Sequence, residues 1–411
     1  MATTTGARTE VRPWLGQWNS TVTSYYLLVG ATGLLLVIGL VMVFSSTAVT
    51  SIAAGDSPYA AGLVQARFAL VGIPFMVVAM RLPVRWYKRL AWPGLVVALG
   101  LQSLTLVPAF GLGKGGNVGW VHLGGGVVIQ PAEVSKVALA VWLGAVLGRK
   151  QHLLGSWGHV FLPAVPGALV LLGLVLGGHD LGTVLVMAGL VAGALWVSGA
   201  PARMLALGGA VAAFVVVAFF VVGNDNRMQR ITSTYGGCTD PQGDCYQALH
   251  GLYGLGTGGF FGVGLGASRE KWRYLPEAHN DFIYAIIGEE LGLLGTLLVL
   301  ALFAVLGVAM ARVIRRHPDP FVKITTAAVA CWVVGQALLN IGVVIGLLPI
   351  IGVPLPLVSA GGSALVTTMA ALGMVMSFAR SEPGAAEAFA ARRGVVRRSM
   401  TVLGRGRVAA R

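Results

Sequence analysis

The sequence predicts an all-α membrane protein that crosses the bilayer about ten times. Its 411 residues are 56% hydrophobic and only 11% charged, with a mean hydropathy of +0.80, whereas soluble domains carry about one quarter charged residues. Apolar stretches long enough to cross about 30 Å of hydrocarbon recur along nearly the whole chain. Because lipid cannot satisfy backbone polar groups, and because the stretches lack the alternation of barrel strands, each is predicted to be a helix.

Ten apolar stretches are the predicted spans. They cover residues 24–45, 64–80, 90–109, 131–148, 159–177, 181–199, 203–222, 282–311, 322–348 and 361–379. The first stretch is too long for the apolar core of a signal peptide, so we expect it to remain as an anchor. The predicted organisation is a cytoplasmic tail (1–23), a membrane domain (24–380) with one long external loop (223–281), and a basic cytoplasmic tail (381–411).

The Lys and Arg residues orient the chain, since positively charged loops stay in the cytoplasm. With the N-terminus inside, 21 of the 29 Lys and Arg residues fall in cytoplasmic segments, six fall outside and two fall within spans. Both termini are therefore predicted to be cytoplasmic. The net charge of +14 could also indicate nucleic-acid binding, but arginines beside helix ends are better explained by anionic lipid headgroups.

Two of the three cysteines, Cys238 and Cys245, lie in the external loop. The oxidising side of the membrane favours a disulfide between them. Zinc binding is the alternative, although two thiols without a nearby His make a poor zinc site. Cys331 lies in an apolar stretch and is predicted to be a packing residue. The loop itself is long and mixes Gly, Arg, Asp, Tyr and Trp, which indicates that it contributes to a functional site.

Charged side chains at membrane depth cost at least about 2.5 kcal/mol each, so each is a candidate functional residue. Glu133 and Lys136 are three residues apart and share one helix face. A structural ion pair and a direct active-site role both stay open for this pair. Asp180 opens the sixth span, where a helix cap is slightly favoured over a role in the site.

Three further carboxylates belong to the eighth span: Asp281 opens it, and Glu289 and Glu290 lie within it. Glu289 and Glu290 lie about 12 Å along the helix from Asp281, and for them helix–helix hydrogen bonding is favoured over catalysis or a proton relay. Asp281 ends the polar run KWRYLPEAHND where the chain re-enters the membrane, a position that suits a general base. The nearby cations that could bind phosphate are Arg227, Arg230, Arg269, Lys271 and Arg273.

An ordered set of motifs runs from the fourth span to the tenth. The set is QPAEVSK (130–136), DLGT (180–183), NRMQR (226–230), GVGLGASREKWRYLPEAHNDFIYAIIGEELGLLG (262–295) and LLPIIGVPLPLVSAGGSALV (347–366). With these motifs the sequence strongly resembles the SEDS family, and within it the cell-division branch. The resemblance implies a peptidoglycan glycosyltransferase that polymerises lipid II into β-1,4 glycan at the outer face of a bacterial cytoplasmic membrane.

The resemblance also implies the site residues. The family's catalytic aspartate falls on Asp281. Implied substrate-binding residues are Trp120, Glu133, Lys136, Asp180, Arg227, Arg230, His279, Ser359, Gly361, Gly362 and Ser363. The sequence departs from the family at three places: Val118 and Gly119 replace paired arginines, Ala360 replaces a tyrosine, and Gly178 with His179 replaces Gln-Pro.

The predicted mechanism is a single inverting displacement. Asp281 would accept the proton of the acceptor 4-hydroxyl while that oxygen attacks the donor's anomeric carbon. Arg227, Arg230 and Lys136 would neutralise the leaving diphosphate. No cofactor is evident, although Mg²⁺ or Mn²⁺ could share that task. The resemblance implies a class B penicillin-binding protein as the transpeptidase partner, along with other division proteins.

Three other functions stay open. A lipid II flippase would use buried carboxylates and a central cavity equally well, but inverted repeats or paired broken helices would then be expected. A scaffold that only recruits the transpeptidase would not need Asp281. An elongation polymerase of the same family would share the chemistry.

Overall fold

A computed structural model describes residues 20, 22–114, 117–122, 124, 128–153, 158–159, 162–218, 222, 225–237, 240–243 and 245–390. Twelve α-helices lie in this part of the chain. They are α1 (Thr23–Ala53), α2 (Ala60–Arg81), α3 (Val84–Leu104), α4 (Pro131–Arg149), α5 (Ala164–Gly177), α6 (Leu181–Ser198), α7 (Ala202–Val216), α8 (Asp225–Tyr235), α9 (Tyr246–Thr257), α10 (Ile283–Arg316), α11 (Pro320–Val344) and α12 (Gly362–Arg380).

The helical, multi-pass membrane architecture predicted from the sequence is confirmed. Among the described residues, seven helices are long and apolar enough to cross a membrane: α1, α2, α4, α6, α10, α11 and α12. Two shorter apolar helices, α5 and α7, coincide with the fifth and seventh predicted spans. Helix α3 overlaps the third, but its first turns carry Arg85, Lys88 and Arg89, and it is not among the seven. The count of ten spans stays a prediction.

The core of the bundle is formed by α4, α10, α11 and α12, which bury most of their side chains. Helix α4 packs against α3 and α11, α6 packs against α11, and α2 packs against α12. Small residues permit the close approach that helix pairs in membranes use. A Cβ on Gly144 of α4 would collide with Thr325 of α11, and one on Gly373 of α12 would collide with the backbone of Met76.

Helices α1 and α10 run antiparallel, which defines the two ends of the bundle. Arg312 Nε donates to Ser24 Oγ (3.4 Å), and Ser45 Oγ donates to Glu290 (2.7 Å). We call the end at which α10 begins the Asp281 end and the other the Arg316 end.

A small antiparallel sheet, which the all-α prediction did not include, lies between α3 and α4. Strand β1 (Gly111–Lys114) pairs with β2 (Asn117–His122), and β2 pairs with β3 (Val128–Ile129). The segment lies outside the apolar stretches, so it is not restricted to helix by lipid. Val118 N donates to Gly178 O (2.8 Å), which ties β2 to the turn before α6.

The long loop predicted at 223–281 contains α8 and α9. Helix α9 runs beside the first turns of α10, because Gly251 lies against Phe282 and Gly258 against Gly288. After α9 the chain turns and returns to Asp281. We call residues 246–281 the hairpin, and its two sides the α9 arm and the returning arm.

Candidate active site

Asp281 lies at the end of the returning arm, two residues before α10 begins at Ile283. Its side chain is half-buried. Carboxylate oxygen Oδ2 lies 3.5 Å from the point that a Cβ on Gly352 would occupy, and Gly352 has a φ of +69°. Glycine permits the left-handed backbone at this position, and Gly352 lies beside the carboxylate.

Three successive backbone carbonyls position Asp281. His279 O accepts from Ala360 N (2.9 Å) and Asn280 O accepts from Ser359 Oγ (2.6 Å). Asp281 O accepts from Asn340 Nδ2 (2.6 Å). The residues before α10 are thus held by hydrogen bonds from the loop between α11 and α12 and from α11 itself.

The loop between α11 and α12 carries the predicted residues Ser359 and Gly361, and Gly362 and Ser363 follow at the start of α12. This segment is held in turn by α2 and by the residue before α4. Gln65 of α2 donates to Ser359 O (3.3 Å) and accepts from Gly361 N (3.1 Å). Ser363 Oγ accepts from the backbone N–H of Gln130, immediately before α4 (3.2 Å). Phe68 packs so close to Gly362 that a Cβ there would overlap its ring.

Glu133 and Lys136 form the ion pair that their spacing allows. Lys136 Nζ lies 2.8 Å from Glu133 Oε1, and both side chains are at least 97% buried. Lys136 Nζ also donates to Gln336 Oε1 (3.1 Å) and lies 4.8 Å from the ring centroid of Trp332. Thr367 of α12 donates to Glu133 Oε2 (3.4 Å). The pair is therefore part of a buried polar network rather than isolated.

The network and the Asp281 segment meet at one short stretch of backbone. Gln336 Nε2 donates to Pro354 O (2.7 Å), and Asn340 Nδ2 donates to Val353 O (2.8 Å) as well as to Asp281 O. Gln336 and Asn340 lie one turn apart on α11, about 6 Å along its axis. Lys136 and Asp281 are thus linked through adjacent side chains of one helix.

Asp180 caps α6, as the residue type favours. Its carboxylate accepts from Thr183 N (3.0 Å) and Thr183 Oγ1 (2.7 Å). A Cβ on Gly119 would lie 3.8 Å from Asp180 Oδ2, so β2 passes beside this carboxylate. Trp120 follows in β2 and is half-buried. Val118 and Gly119, which the resemblance aligns with paired arginines, therefore lie beside the turn that carries Asp180.

The predicted cations differ in their surroundings. Arg230 is exposed and donates from Nη1 to Ile350 O (3.2 Å), two residues before Gly352. The side chain of Arg227 lies outside the described residues. Lys271 is buried against Glu290 (2.8 Å) and is neutralised there, so its charge does not add to a phosphate site.

The two glutamates of α10 bind the returning arm. Glu289 accepts from Ser268 Oγ (2.5 Å) and Arg269 N (2.9 Å). Glu290 pairs with Lys271 and accepts from Ser45 of α1. The expected helix–helix hydrogen bond is present for Glu290, whereas Glu289 binds the hairpin.

His250 of the α9 arm pairs with Glu270 of the returning arm (Nδ1 to Oε2, 2.6 Å). Burial raises the pKa of the Glu270 carboxyl. The hydrogen bond and charge of His250 act in the opposite direction, and Glu289 raises it slightly further. This contact joins the two sides of the hairpin.

Cys245 is disulfide-bonded and Cys331 is a free thiol. Cys238, the predicted partner of Cys245, lies outside the described residues, so the pairing stays a prediction. Within the part of the chain that the structure describes, no group of three or more His, Cys, Asp or Glu residues could hold a metal ion.

An apolar groove of about 340 Å³ opens between α6 and α11. Its lining includes Leu185, Gly189, Cys331, Leu339 and Gln336. Gln336 is also the partner of Lys136, so the groove reaches the buried polar network.

Gln65, Gln336 and Asn340 were not predicted as site residues. Each is a buried amide in an apolar helix, and polar residues in such helices are unusual enough to count as a signal. Their partners lie far away in sequence, so no local pattern indicates what they bind.

Comparisons with known proteins agree on one family. The family model described as "Cell cycle protein" (FtsW, RodA and SpoVE) matches residues 26–383. A probable peptidoglycan glycosyltransferase FtsW of Mycobacterium tuberculosis is 39% identical over 94% of this chain and 73% of its own length. The stage V sporulation protein E of Bacillus subtilis is 35% identical over 86% of this chain and 96% of its own length.

Solved structures show the same fold. A chain from a structure described as "Structural coordination of polymerization and crosslinking by a peptidoglycan synthase complex" superposes with a TM-score of 0.69 at 26% identity, covering 86% of this chain and 96% of that one. The rod shape determining protein RodA of Thermus thermophilus superposes with a TM-score of 0.63 at 25% identity, covering 87% and 96%.

Proposed function

Since the chain belongs to the FtsW/RodA/SpoVE family of cell cycle proteins and is a peptidoglycan glycosyltransferase, we propose that Asp281 is the general base of lipid II polymerisation. The observation that carries this assignment is the position of Asp281. Its carboxylate is half-buried, and hydrogen bonds hold three consecutive backbone carbonyls, those of residues 279–281, beside the Lys136 network. A carboxylate on a positioned backbone, linked to a buried cation through two neighbouring side chains of α11, suits proton transfer from an acceptor hydroxyl that attacks a diphosphate-linked sugar.

The proposed step is one displacement with inversion. The 4-hydroxyl oxygen of the acceptor N-acetylglucosamine forms a bond to the anomeric carbon of the donor N-acetylmuramic acid, and its proton passes to Asp281. The bond from that carbon to the diphosphate breaks, and its electron pair leaves on undecaprenyl diphosphate. An α-linked donor thereby gives a β-linked product.

Positive charge is required where the diphosphate leaves. Arg230 is exposed and bonded close to Gly352, so it is the first candidate. Lys136 is already paired with Glu133 and hydrogen-bonded to Gln336, so we propose that its charge contributes to the electrostatic potential of the active site. Arg227 keeps its predicted role, and Mg²⁺ or Mn²⁺ carried by the diphosphate would act in the same sense.

The apolar groove between α6 and α11 is the proposed seat of the polyprenyl chain. It is lined mainly by apolar side chains and includes Gln336, the partner of Lys136, which fits a ligand with an apolar tail and an anionic head. We expect a polyprenyl diphosphate to slow alkylation of Cys331, which lines the groove, by a maleimide. An unchanged alkylation rate at saturating ligand would place the tail elsewhere.

We propose that the active site faces the outside of the cytoplasmic membrane, that the product is septal glycan, and that a class B penicillin-binding protein is the partner. The FtsW name of the Mycobacterium tuberculosis relative and the family description "Cell cycle protein" support the division role. The superposed synthase complex, which is described as coordinating polymerization with crosslinking, supports a partner that crosslinks. If the chain instead served elongation, its polymerisation activity would be stimulated by an elongation-type transpeptidase rather than by a division-type one.

The deciding experiment is lipid II polymerisation by the purified chain with its cognate transpeptidase, resolved as glycan on a gel. Asp281→Asn keeps the shape of the side chain and removes the base, so we expect activity to fall about 100-fold or more. Asp56→Asn, in the exposed turn after α1, is the matched control and should retain activity. Full activity of Asp281→Asn would refute the base. Translocation of lipid II in vesicles without polymer formation would favour a flippase.

A further inference from the structure

The turn of the hairpin, residues 260–265, exposes a run of apolar side chains. Phe260 is 69% exposed and Phe261 is 81% exposed, and Val263 and Leu265 are exposed as well. Isolated exposed apolar residues are ordinary, but a contiguous patch of this kind marks a surface that binds something.

The backbone of the turn is inserted into a break in helix α10. Gly292 has φ +68° and ψ −165°, which interrupts the helix. A regular helix would direct the N–H groups of Leu293 and Leu294 to carbonyls four residues earlier. Here Leu293 N donates to Gly259 O (2.9 Å) and Leu294 N donates to Phe260 O (3.3 Å).

The carbonyls freed by the same break are also used by the turn. Glu289 O accepts from Val263 N (2.9 Å) and Glu290 O accepts from Gly264 N (3.1 Å). Two intrahelical hydrogen bonds are thus replaced by four between helix and turn. Irregular backbone tolerates a lipid environment only when its polar groups are satisfied within the protein, and this turn meets that condition at all four positions.

Two charged groups of the returning arm are paired within the protein: Glu270 pairs with His250, and Lys271 pairs with Glu290. Arg269 and Arg273 of the same arm are exposed. Residues 260–265 themselves contain no charged side chain, which distinguishes the turn from a solvated loop.

The level of the turn along α10 can be estimated from the length of the helix. Its 34 residues span about 51 Å, but a hydrocarbon core of about 30 Å needs only about 20 residues. Counting back about 20 residues from Arg312, near the basic end of the helix, reaches roughly position 292. The exposed large apolar side chains of α10 begin at that level: Leu293, Leu294, Leu297, Leu298 and Val308.

We propose that residues 260–265 insert into the lipid leaflet at the Asp281 end of the bundle, and so anchor the hairpin at the boundary between headgroups and acyl chains. The turn lies level with the first lipid-facing residues of α10, and its apolar surface continues theirs. Aromatic side chains are enriched at this depth. The occupant of the patch is therefore lipid, and the first turns of α10 with the rest of the hairpin stand above the bilayer.

Site-directed spin labelling of the full chain in phospholipid vesicles tests the proposal. In a Cys331→Ser background with the native disulfide intact, a nitroxide is placed at Phe261→Cys. A second label at Leu265→Cys covers the failure of either variant to fold. Matched controls are Leu297→Cys for lipid and Asp56→Cys for water. Collisions with oxygen, which concentrates in lipid, are compared with collisions with a water-soluble nickel chelate.

We expect the labels at 261 and 265 to shift toward oxygen accessibility, as the label at 297 does. A label at either position that collides with the nickel chelate as readily as the label at 56 would overturn the proposal. Low accessibility to both reagents would also overturn it, because the patch would then be covered by protein.

Discussion

Asn340 is bonded to the backbone of Asp281 rather than to its carboxylate. Its amide donates to two carbonyls, Asp281 O and Val353 O, and the side chain is 1% exposed. These two hydrogen bonds hold the main chain, so Asn340 fixes the position of the proposed base without contacting the carboxylate oxygens that would accept the proton. Asn340 is thus a positioning residue on the proposed mechanism, not a catalytic one.

Removing the two hydrogen bonds of Asn340 should lower turnover more than substrate binding. We expect Asn340→Ala to reduce kcat about 10- to 100-fold, since small misplacements of a reacting group have effects of this size, with KM little changed. Steady-state kinetics with lipid II measure both constants. Val308→Ala, at an exposed position of α10, is the control and should leave them unchanged. A purely structural role would lower the amount of folded protein without separating kcat from KM.

Glu382, just after α12, is a buried carboxylate at the Arg316 end. Burial raises its pKa to about 7, although the nearby charges of Arg316 and Arg312 act in the opposite direction. Because the native pKa lies above the ordinary value of 4.5, the folded state holds the proton more tightly than the unfolded chain. The resulting stabilisation is complete below the ordinary pKa and is lost as the pH rises through about 7.

The melting temperature of the chain should therefore fall between about pH 4.5 and about pH 7 through this group, and change little through it at higher pH. Glu382→Gln, which cannot ionise, should show a smaller fall. Thermal unfolding in detergent across this range measures the difference. Glu387→Gln, at an exposed position in the same segment, should behave like the native chain. Equal pH dependence in the native chain and in the Glu382→Gln variant would contradict the assignment.

Whether the sequence could predict the contacts of a single residue depended on how far apart the two partners lie along the chain. The Glu133–Lys136 pair follows from three-residue spacing on a helix, and the cap at Asp180 follows from residue type. Gln336 was missed because Lys136, its partner, is 200 residues away. The prediction that Asp281 is the base came from its place at the end of a polar run and from a family motif. The hydrogen bonds to the backbone carbonyls of residues 279–281 join segments that only the tertiary fold brings together.

Helix α10 is the element in which the sequence prediction was least complete. Hydropathy predicted a continuous span at 282–311, but the helix runs from Ile283 to Arg316 and breaks at Gly292. A glycine in an apolar helix is common, so its left-handed φ could not be read from the pattern. The break exists because the hairpin turn supplies the missing hydrogen bonds.

Substituting Gly292 should consequently disturb the hairpin. A Cβ at this position would meet the backbone of Gly262 and Phe260, and φ +68° is strained for alanine. We expect Gly292→Ala to lower the melting temperature and to reduce polymerisation, since the returning arm ends at Asp281. Gly307→Ala is the matched control, because a Cβ there makes only ordinary contacts with Val334 at 3.7 Å or more. Native stability of Gly292→Ala would show that the break is not required.

Two of the predicted features concern the whole molecule: the orientation of the chain and the face on which the site opens. The antiparallel contacts of α1 and α10 put the turn after α1, with Asp56, at the Asp281 end. Phe389 packs on Tyr25 at the start of α1 (5.2 Å between ring centroids), which puts the segment after α12 at the Arg316 end. Asp56 and the segment after α12 therefore lie at opposite ends of the bundle, so a label at each place reports on one end.

Charge decides which end faces the cytoplasm. Arg312, Arg315 and Arg316 lie at the C-terminal end of α10, and the positive-inside rule predicts that this end faces the cytoplasm. We expect Asp56→Cys, in a Cys331→Ser background, to react with a membrane-impermeant maleimide in intact spheroplasts. Glu387→Cys should react only after lysis. The reverse pattern would put Asp281 on the cytoplasmic side, where it could not extend external glycan. The fold would then stand, but the proposal that the polymerase works on the outer face would be wrong.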